Sequence, residues 1–171
     1  MKTKHLIALA ILFALVPAPL AFAASLSEEQ STKISMNCSS IRQNLKNLQR
    51  ADSRTRTYFG AIYETVANKY LKPLNLRLVN NDLADSNLSK LQISLATARN
   101  DFHDDFIVYS KALEELSAID CRLAPEDFYE KLLDTRKKRA VVAKDTKVLN
   151  QLLTEAVKNA ERLKENLNAG Q

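Results

Sequence analysis

The feature that most constrains this chain is how rarely proline and glycine interrupt it. Its 171 residues include only four prolines and two glycines. Between the N-terminal segment and the C-terminal tail, only Gly60, Pro73 and Pro125 remain. Because proline and glycine end or distort regular helices, a chain this free of them, and rich in Leu, Ala, Lys and Glu, favours a few long helices. We therefore predict an all-α fold, which leaves few loops for a conventional active site.

The N-terminus is typical of an export signal. Two lysines within the first four residues precede an apolar run at 6–16, and Ala21-Phe22-Ala23 supplies the small residues that a signal peptidase recognises. We predict a signal peptide at 1–23 and a single mature domain at 24–171, located in the periplasm or outside the cell. The alternative is a protein anchored in the membrane by an uncleaved N-terminal segment, although the run is shorter than the about 20 residues that span a bilayer.

Apolar residues spaced by threes and fours predict three helices, at roughly 27–79, 86–119 and 125–168. Pro73 is expected to kink the first helix or to end it, because proline lacks an amide proton. Short connections make successive helices antiparallel neighbours. We therefore predict an elongated up-down-up three-helix bundle with coiled-coil-like packing. Its expected core includes Leu91, Leu95, Phe102, Phe106, Leu113, Leu149 and Leu153.

The two cysteines test this topology. Cys38 and Cys121 lie at nearly equal distances on either side of the polar turn near Asp82. An antiparallel pair of helices would therefore bring both cysteines to the same end. Exported proteins with an even number of cysteines usually oxidise them, so we predict an intramolecular disulfide. An intermolecular bond is the alternative, and a redox-active pair is disfavoured because no Cys-x-x-Cys motif is present.

Polar residues lie on or beside the apolar seams at one level of the predicted bundle. They include opposite charges, so one hypothesis is a buried or half-buried Asp–Arg layer that fixes the register of the helices. The alternative is that they are ordinary solvated positions. The residues concerned are Asp52, Thr55, Asp105, Arg136 and Arg139.

Basic residues collect in the half of the bundle that carries the cysteines. They could form a docking band for an acidic envelope component, such as a polymer or lipid headgroups. The alternative is that they pair with acidic residues of the second helix or lie on ordinary solvated faces. The net charge of +5 is modest and does not indicate a nucleic-acid partner. The candidate band comprises Arg42, Lys46, Arg50, Arg54, Lys137 and Lys138.

Sequence motifs give no indication of an enzyme. After the predicted signal peptide His103 is the only histidine, and no further nitrogen or sulfur ligands stand at helical spacing from it. Met36 and His103 would lie about 25–30 Å apart along the helices, too far to share one haem. Asp101 and Asp105 are one turn apart, which is common on exposed helix faces. We therefore predict no catalytic residues, no metal and no cofactor.

Two segments, 52–58 and 100–106, followed by the single Cys121, resemble those of uncharacterised secreted helical proteins from bacterial genomes. The resemblance implies a secreted, coiled-coil-like helical protein and no particular activity. Prefoldin-like periplasmic holdases share the size and the basic character of the chain. They also carry a small β-structured body, for which this sequence has no candidate strands.

These observations favour an exported, non-enzymatic interaction or scaffolding protein of the cell envelope. Its partner would be a protein or an acidic envelope component, self-association is left open, and a membrane partner is expected only if the N-terminal segment is retained. One alternative is a periplasmic chaperone or holdase, which needs an exposed apolar surface. Another is a helical sensor or ligand-binding module, which needs a pocket between helices.

Overall fold

The computed structural model describes residues 26–169, and this part of the chain is helical and contains no strand. The all-α prediction is confirmed. The predicted signal peptide at 1–23 lies outside the described residues. Within residues 26–169, no helix is both long and apolar enough to cross a lipid bilayer. The elements are α1 (Glu28–Met36), α2 (Cys38–Thr65), a π-helical turn (Val66–Leu71), α3 (Lys72–Asn80), α4 (Ser86–Ala118) and α5 (Pro125–Ala169).

The first predicted helix is subdivided rather than continuous. It begins with the expected capping box, in which Ser27 and Gln30 each accept from the backbone amide of the other. Asn37 then separates α1 from α2. Pro73 does not end the helical region, because the backbone widens into the π-helical turn before it and continues through it as α3. Proline is tolerated early in a helix, where its missing amide proton breaks few bonds.

The chain reverses between α3 and α4 through a short polar turn. Asp82 adopts a positive φ of 56°, a conformation that aspartate tolerates better than most residues. The Leu83 amide donates to the Leu78 carbonyl over 2.8 Å, which closes the end of α3. Asp85 then caps α4, because its Oδ1 accepts from the Leu88 amide over 2.8 Å.

Helix α4 runs antiparallel to its neighbours on both sides. Near the start of α4, Asp85 contacts Arg162 at the far end of α5. Near its end, Glu115 contacts Lys131, close to the start of α5. The core lies along α4: of the residues expected there, Leu153 is only partly buried, and the others are buried. A single stripe of α4 thus packs against α2 on one side and α5 on the other.

Candidate functional site

Cys38 and Cys121 form a disulfide that joins the start of α2 to the turn after α4. Their Cα atoms lie 5.5 Å apart, and both residues are buried. The predicted intramolecular pairing is confirmed. The bond holds α2 against one end of α4 and fixes the register from which the rest of the site is built.

The main feature of the surface is a groove between α2 and α5. Across the fold, the backbones of both helices approach α4 rather than each other. Side chains of α4, among them Phe102, Phe106 and Tyr109, form the floor of the groove. The helices α2 and α5 form its walls. The groove therefore opens above the apolar stripe of α4, although Phe102, Phe106 and Tyr109 are themselves at most 7% exposed.

Three polar contacts cross the groove, and we call them rungs. At the disulfide end, Ser31 Oγ of α1 donates to Glu126 Oε1 over 3.1 Å. In the middle, Arg139 binds Asp52. Further along, the buried Tyr63 hydroxyl donates to Asn150 Oδ1 over 3.3 Å. The rungs divide the groove into two compartments.

The lower compartment lies on the disulfide side of the middle rung, and the upper compartment lies beyond it. The lower cavity has a volume of about 430 Å³ and is lined by apolar residues that include Leu45, Leu113 and Phe128. The upper cavity has a volume of about 420 Å³ and contains Phe59 and Val142 in its lining. Both compartments share Tyr109, Arg136 and Arg139. The groove is thus mostly apolar, with its charged residues gathered around the middle rung.

The middle rung is the most elaborate polar contact of the groove. Arg139 donates from Nε to Asp52 Oδ2 and from Nη2 to Asp52 Oδ1, each over 3.1 Å. The buried Tyr109 hydroxyl donates to the same Oδ2 over 2.6 Å. The hydrogen bond to Asp52 raises the pKa of Arg139. Burial, and then the carboxylate of Asp52, raise the pKa of Tyr109 well above its usual value. Both shifts favour the protonated forms, so Arg139 is held as a cation and Tyr109 as a neutral phenol.

The structure separates the residues of the predicted polar layer. It brings Asp52 and Arg139 together, while Thr55 and Arg136 are exposed on the walls of the upper compartment without bonding to this pair. Asp105 does not join them either, because it faces Asp145 of α5 at the α4–α5 contact. In place of the predicted layer, the structure has the Asp52–Arg139 ion pair in the groove and a separate contact between Asp105 and Asp145 outside the groove.

The acidic contact was not anticipated from the sequence. Asp145 Oδ2 is buried and finds no hydrogen-bond partner among residues 26–169. Burial raises the pKa of Asp145, and the neighbouring carboxyl group of Asp105, together with the charge of Asp101, adds to the rise. In residues 26–169, no group of three or more His, Cys, Asp and Glu side chains is placed to hold a metal ion.

Only part of the predicted basic band is exposed and unengaged within the described residues. Residues Arg42, Lys46, Arg50 and Arg54 recur every four residues along α2, and all are exposed. On α5, Lys137 is exposed, but Lys138 is partly buried and donates to Asp134. The α2 part of the band therefore remains an exposed row of cations, whereas Lys138 is engaged within its own helix.

Two residues of the site, Tyr109 and Arg56, were not singled out as site residues from the sequence. Tyr109 belongs to the apolar stripe of α4, where its ring reads as core. Only its hydroxyl, which needs a partner when buried, pointed to a polar neighbour. Arg56 lies over the ring of Phe106, 5.0 Å from its centroid, and contacts His103 Nδ1 at 3.2 Å. Its place at the groove depends on how α2 is rotated about its own axis. The pattern of apolar residues does not define this rotation closely.

No protein-family model, no curated protein and no solved structure matches this chain.

Proposed function

We propose that the protein is an exported, non-enzymatic binding protein of the cell envelope, and that the groove between α2 and α5 is its binding site. In this proposal α1–α3, α4 and α5 are the three legs of an up-down-up bundle with coiled-coil-like packing along α4. The observation that carries the proposal is the pair of apolar compartments between α2 and α5. A scaffold with a closed core would leave no large apolar pocket, so the groove favours the ligand-binding alternative.

The dimensions and chemistry of the groove support this function. Ligand pockets typically enclose about 300–1,000 Å³, are mostly apolar, and carry a few convergent polar groups that orient the ligand. Each compartment falls at the small end of that range, at about 420 and 430 Å³. The middle rung and Arg136 supply the polar groups. The groove therefore suits a small or narrow ligand.

The disulfide supports the proposed location. Disulfides persist in oxidising compartments and are rare in the cytosol. The Cys38–Cys121 bond closes a loop with a sequence separation of 83 residues. A signal peptide at 1–23 would deliver the chain to such a compartment. Intact-mass measurement of the protein from an envelope fraction tests both points, because it reports the start of the mature chain and the loss of two hydrogens on oxidation.

The binding site can be tested with an environment-sensitive anionic dye, anilinonaphthalene sulfonate. We expect saturable fluorescence with one dye molecule per compartment or fewer. Ala143 is exposed on the wall of the upper compartment, so Ala143→Trp should fill part of the groove and reduce dye binding. Ala96 is exposed on α4 and absent from the lining of either compartment, so Ala96→Trp is the matched control.

Two results would overturn the groove as the binding site. One is fluorescence that rises without saturation, which indicates dispersed surface binding. The other is an equal loss of binding in the two tryptophan variants. Thermal unfolding followed by circular dichroism should show that both variants keep a cooperative transition.

A periplasmic holdase is the second candidate, and one observation favours it. Tyr70, Leu76, Val79 and Leu83 are large, exposed apolar residues gathered on α3 and its flanking turns. Exposed apolar clusters are common at protein-binding surfaces. A Leu76→Ser, Val79→Ser variant tests this function through suppression of aggregation of a heated client protein. Protection that is absent in the wild type, or unchanged in the variant, would remove this candidate.

A further inference from the structure

We propose that the ligand of the groove is a single-chain amphiphilic anion, in which one acyl chain carries a carboxylate or a phosphate headgroup. This inference rests on the groove being the binding site. It assigns the chain to the upper compartment and the headgroup to the arginines around the middle rung.

The rungs determine the shape of ligand that fits. The upper compartment lies between the Asp52–Arg139 rung and the Tyr63–Asn150 rung. Eleven residues separate the two rungs on each helix, which corresponds to about 16 Å at about 1.5 Å per residue. An α-helix has a diameter of about 10–12 Å with its side chains. A partner helix lying deep in the groove would have to break both rungs, whereas a narrow chain fits between them.

The lining of the upper compartment suits an acyl chain. Phe102 and Phe106 of the floor are largely buried, and Phe59 and Val142 extend the apolar surface up the two walls. The cavity of about 420 Å³ is at the low end of ligand pockets, which run from about 300 to 1,000 Å³. This volume favours one chain over the two chains of a membrane phospholipid.

The charges around the middle rung determine the headgroup. Three guanidinium groups line the upper compartment, those of Arg56, Arg136 and Arg139, and Asp52 is the only carboxylate among them. Asp52 is engaged by Arg139 at two points. Within the described residues, neither Arg56 nor Arg136 lies within ion-pairing distance of a carboxylate. The compartment therefore has two cations in excess.

Arginine suits this role through its geometry as well as its charge. A guanidinium presents five donors in a planar fork that matches a carboxylate or a phosphate. Arg56 uses one nitrogen on His103 and rests over the ring of Phe106, which leaves other donors free. Arg136 is exposed, and within the described part of the chain its side chain makes no hydrogen bond. An anionic headgroup at the mouth would satisfy both arginines while its chain contacts the phenylalanines.

Titration calorimetry below the micelle-forming concentration tests the inference with three amphiphiles of equal chain length. They are dodecanoate, dodecanoyl lysophosphatidic acid and the uncharged dodecanol. We expect both anions to bind at one molecule per chain and dodecanol to bind more weakly, and added salt should narrow the difference. The ratio of the two anion affinities shows whether the site prefers a fatty carboxylate or a lipid phosphate.

Arg136→Gln and Lys137→Gln form a matched pair of variants. Both residues are exposed neighbours on α5, but only Arg136 lines the groove. Arg136→Gln should weaken binding of the anions about two- to fivefold, the range expected for loss of one solvent-accessible charge contact. Lys137→Gln should leave the affinity unchanged, and neither variant should alter binding of dodecanol.

The outcomes separate this inference from the proposed function. Groove-dependent dye binding without binding of either anion would refute the amphiphile and keep the groove. Equal affinity for dodecanol and dodecanoate, or equal weakening by the two variants, would refute recognition of the headgroup. Displacement of the dye by an acidic helical peptide and not by the amphiphiles would assign the groove to a partner helix instead. Absence of both dye and amphiphile binding would remove the proposed function as well.

Discussion

Asp52 of α2 and Arg139 of α5 are joined by two hydrogen bonds across the groove between these helices. Both helices also pack against α4. The contact is completed from below by Tyr109, whose buried hydroxyl donates to the same carboxylate. Side chains of α2, α4 and α5 therefore meet at Asp52. Together with the Tyr63–Asn150 contact further along, this arrangement joins α2 to α5 across the groove.

The Asp52 contact predicts an unequal response to mutation. Asp52→Ala leaves the buried Tyr109 hydroxyl without an acceptor, which should cost about 1–3 kcal/mol of unfolding free energy. Arg139→Ala should cost about 0.2–1 kcal/mol, because the Arg139 side chain is 51% exposed and water can replace its contact. Urea unfolding monitored by circular dichroism measures both changes. A larger cost for Arg139→Ala would contradict the assignment of Asp52 as the central member.

A double variant provides a sharper control. Adding Tyr109→Phe to Asp52→Ala removes the unsatisfied hydroxyl, so the double variant should be more stable than Asp52→Ala alone. If the losses of unfolding free energy from the two single substitutions simply add in the double variant, the Tyr109 hydroxyl does not rely on Asp52 as its acceptor.

The disulfide should contribute a large share of the stability. Closing a loop with a separation of 83 residues stabilises a fold by about 4.5 kcal/mol in the chain-entropy model, an upper value. The double variant Cys38→Ser, Cys121→Ser should therefore unfold at a clearly lower urea concentration than the oxidised wild type. Chemical reduction of the wild type should produce a similar loss. If reduction leaves the urea midpoint unchanged, α2 is held to α4 by other contacts.

Asp85 is expected to make the fold sensitive to acid. Its hydrogen bond from Arg162, and then that from the Leu88 amide, lower the pKa of Asp85. A lowered pKa stabilises the fold above the ordinary pKa of aspartate, and this contribution is lost as pH falls through the lowered value. Unfolding free energy measured between neutral pH and strongly acidic pH should thus fall less steeply in Asp85→Asn than in the wild type.

The cap and the ion pair of Asp85 can be separated by a second substitution. Asp85→Asn keeps an oxygen that can accept from the Leu88 amide, whereas Asp85→Ala removes the cap. Asp85→Ala should therefore lose about 0.5–2 kcal/mol more unfolding free energy than Asp85→Asn. Similar stabilities of Asp85→Asn and Asp85→Ala at neutral pH would show that the cap contributes little.

The sequence predicts the features of this fold that depend on local pattern. The spacing of Leu88, Leu91 and Leu95 defines the buried stripe of α4, and the sparse helix breakers define where the chain can turn. The disulfide could be predicted because Cys38 and Cys121 lie at similar distances along the chain on either side of the turn near Asp82. Each of these inferences needs only the period of a helix and the length of a connection.

The groove could not be predicted in the same way. Periodicity shows which face of a helix is apolar, but it does not show whether α2 and α5 meet or stand apart. That distance depends on the bulk of Phe102, Phe106 and Tyr109 beneath them and on the Asp52–Arg139 contact between them. The π-helical turn before Pro73 was missed for a related reason, because it adjusts the backbone without a distinctive sequence pattern.

Asp145 is expected to affect the pH dependence of stability in the opposite direction from Asp85. Burial and the neighbouring Asp105 raise the pKa of Asp145, so its ionised form disfavours the fold. A raised pKa stabilises the fold below the ordinary pKa of aspartate, about 4, and this contribution is lost as pH rises through the raised value. Asp145→Asn should therefore be more stable than the wild type at neutral pH, by about 0.2–0.5 kcal/mol for relief of one like-charge contact.

The gain should disappear in acid, where Asp145 is already protonated in the wild type. Asp104→Asn is the matched control, because Asp104 is exposed on α4 and is not among the residues that shift the pKa of Asp145. Unfolding free energies of the three proteins at neutral and acidic pH decide the matter. A stabilisation of Asp145→Asn that persists unchanged in acid would show that the gain comes from the shape of the amide and not from the removed charge. A loss of stability at neutral pH would show that the buried Oδ2 has a partner that only a carboxylate can bind.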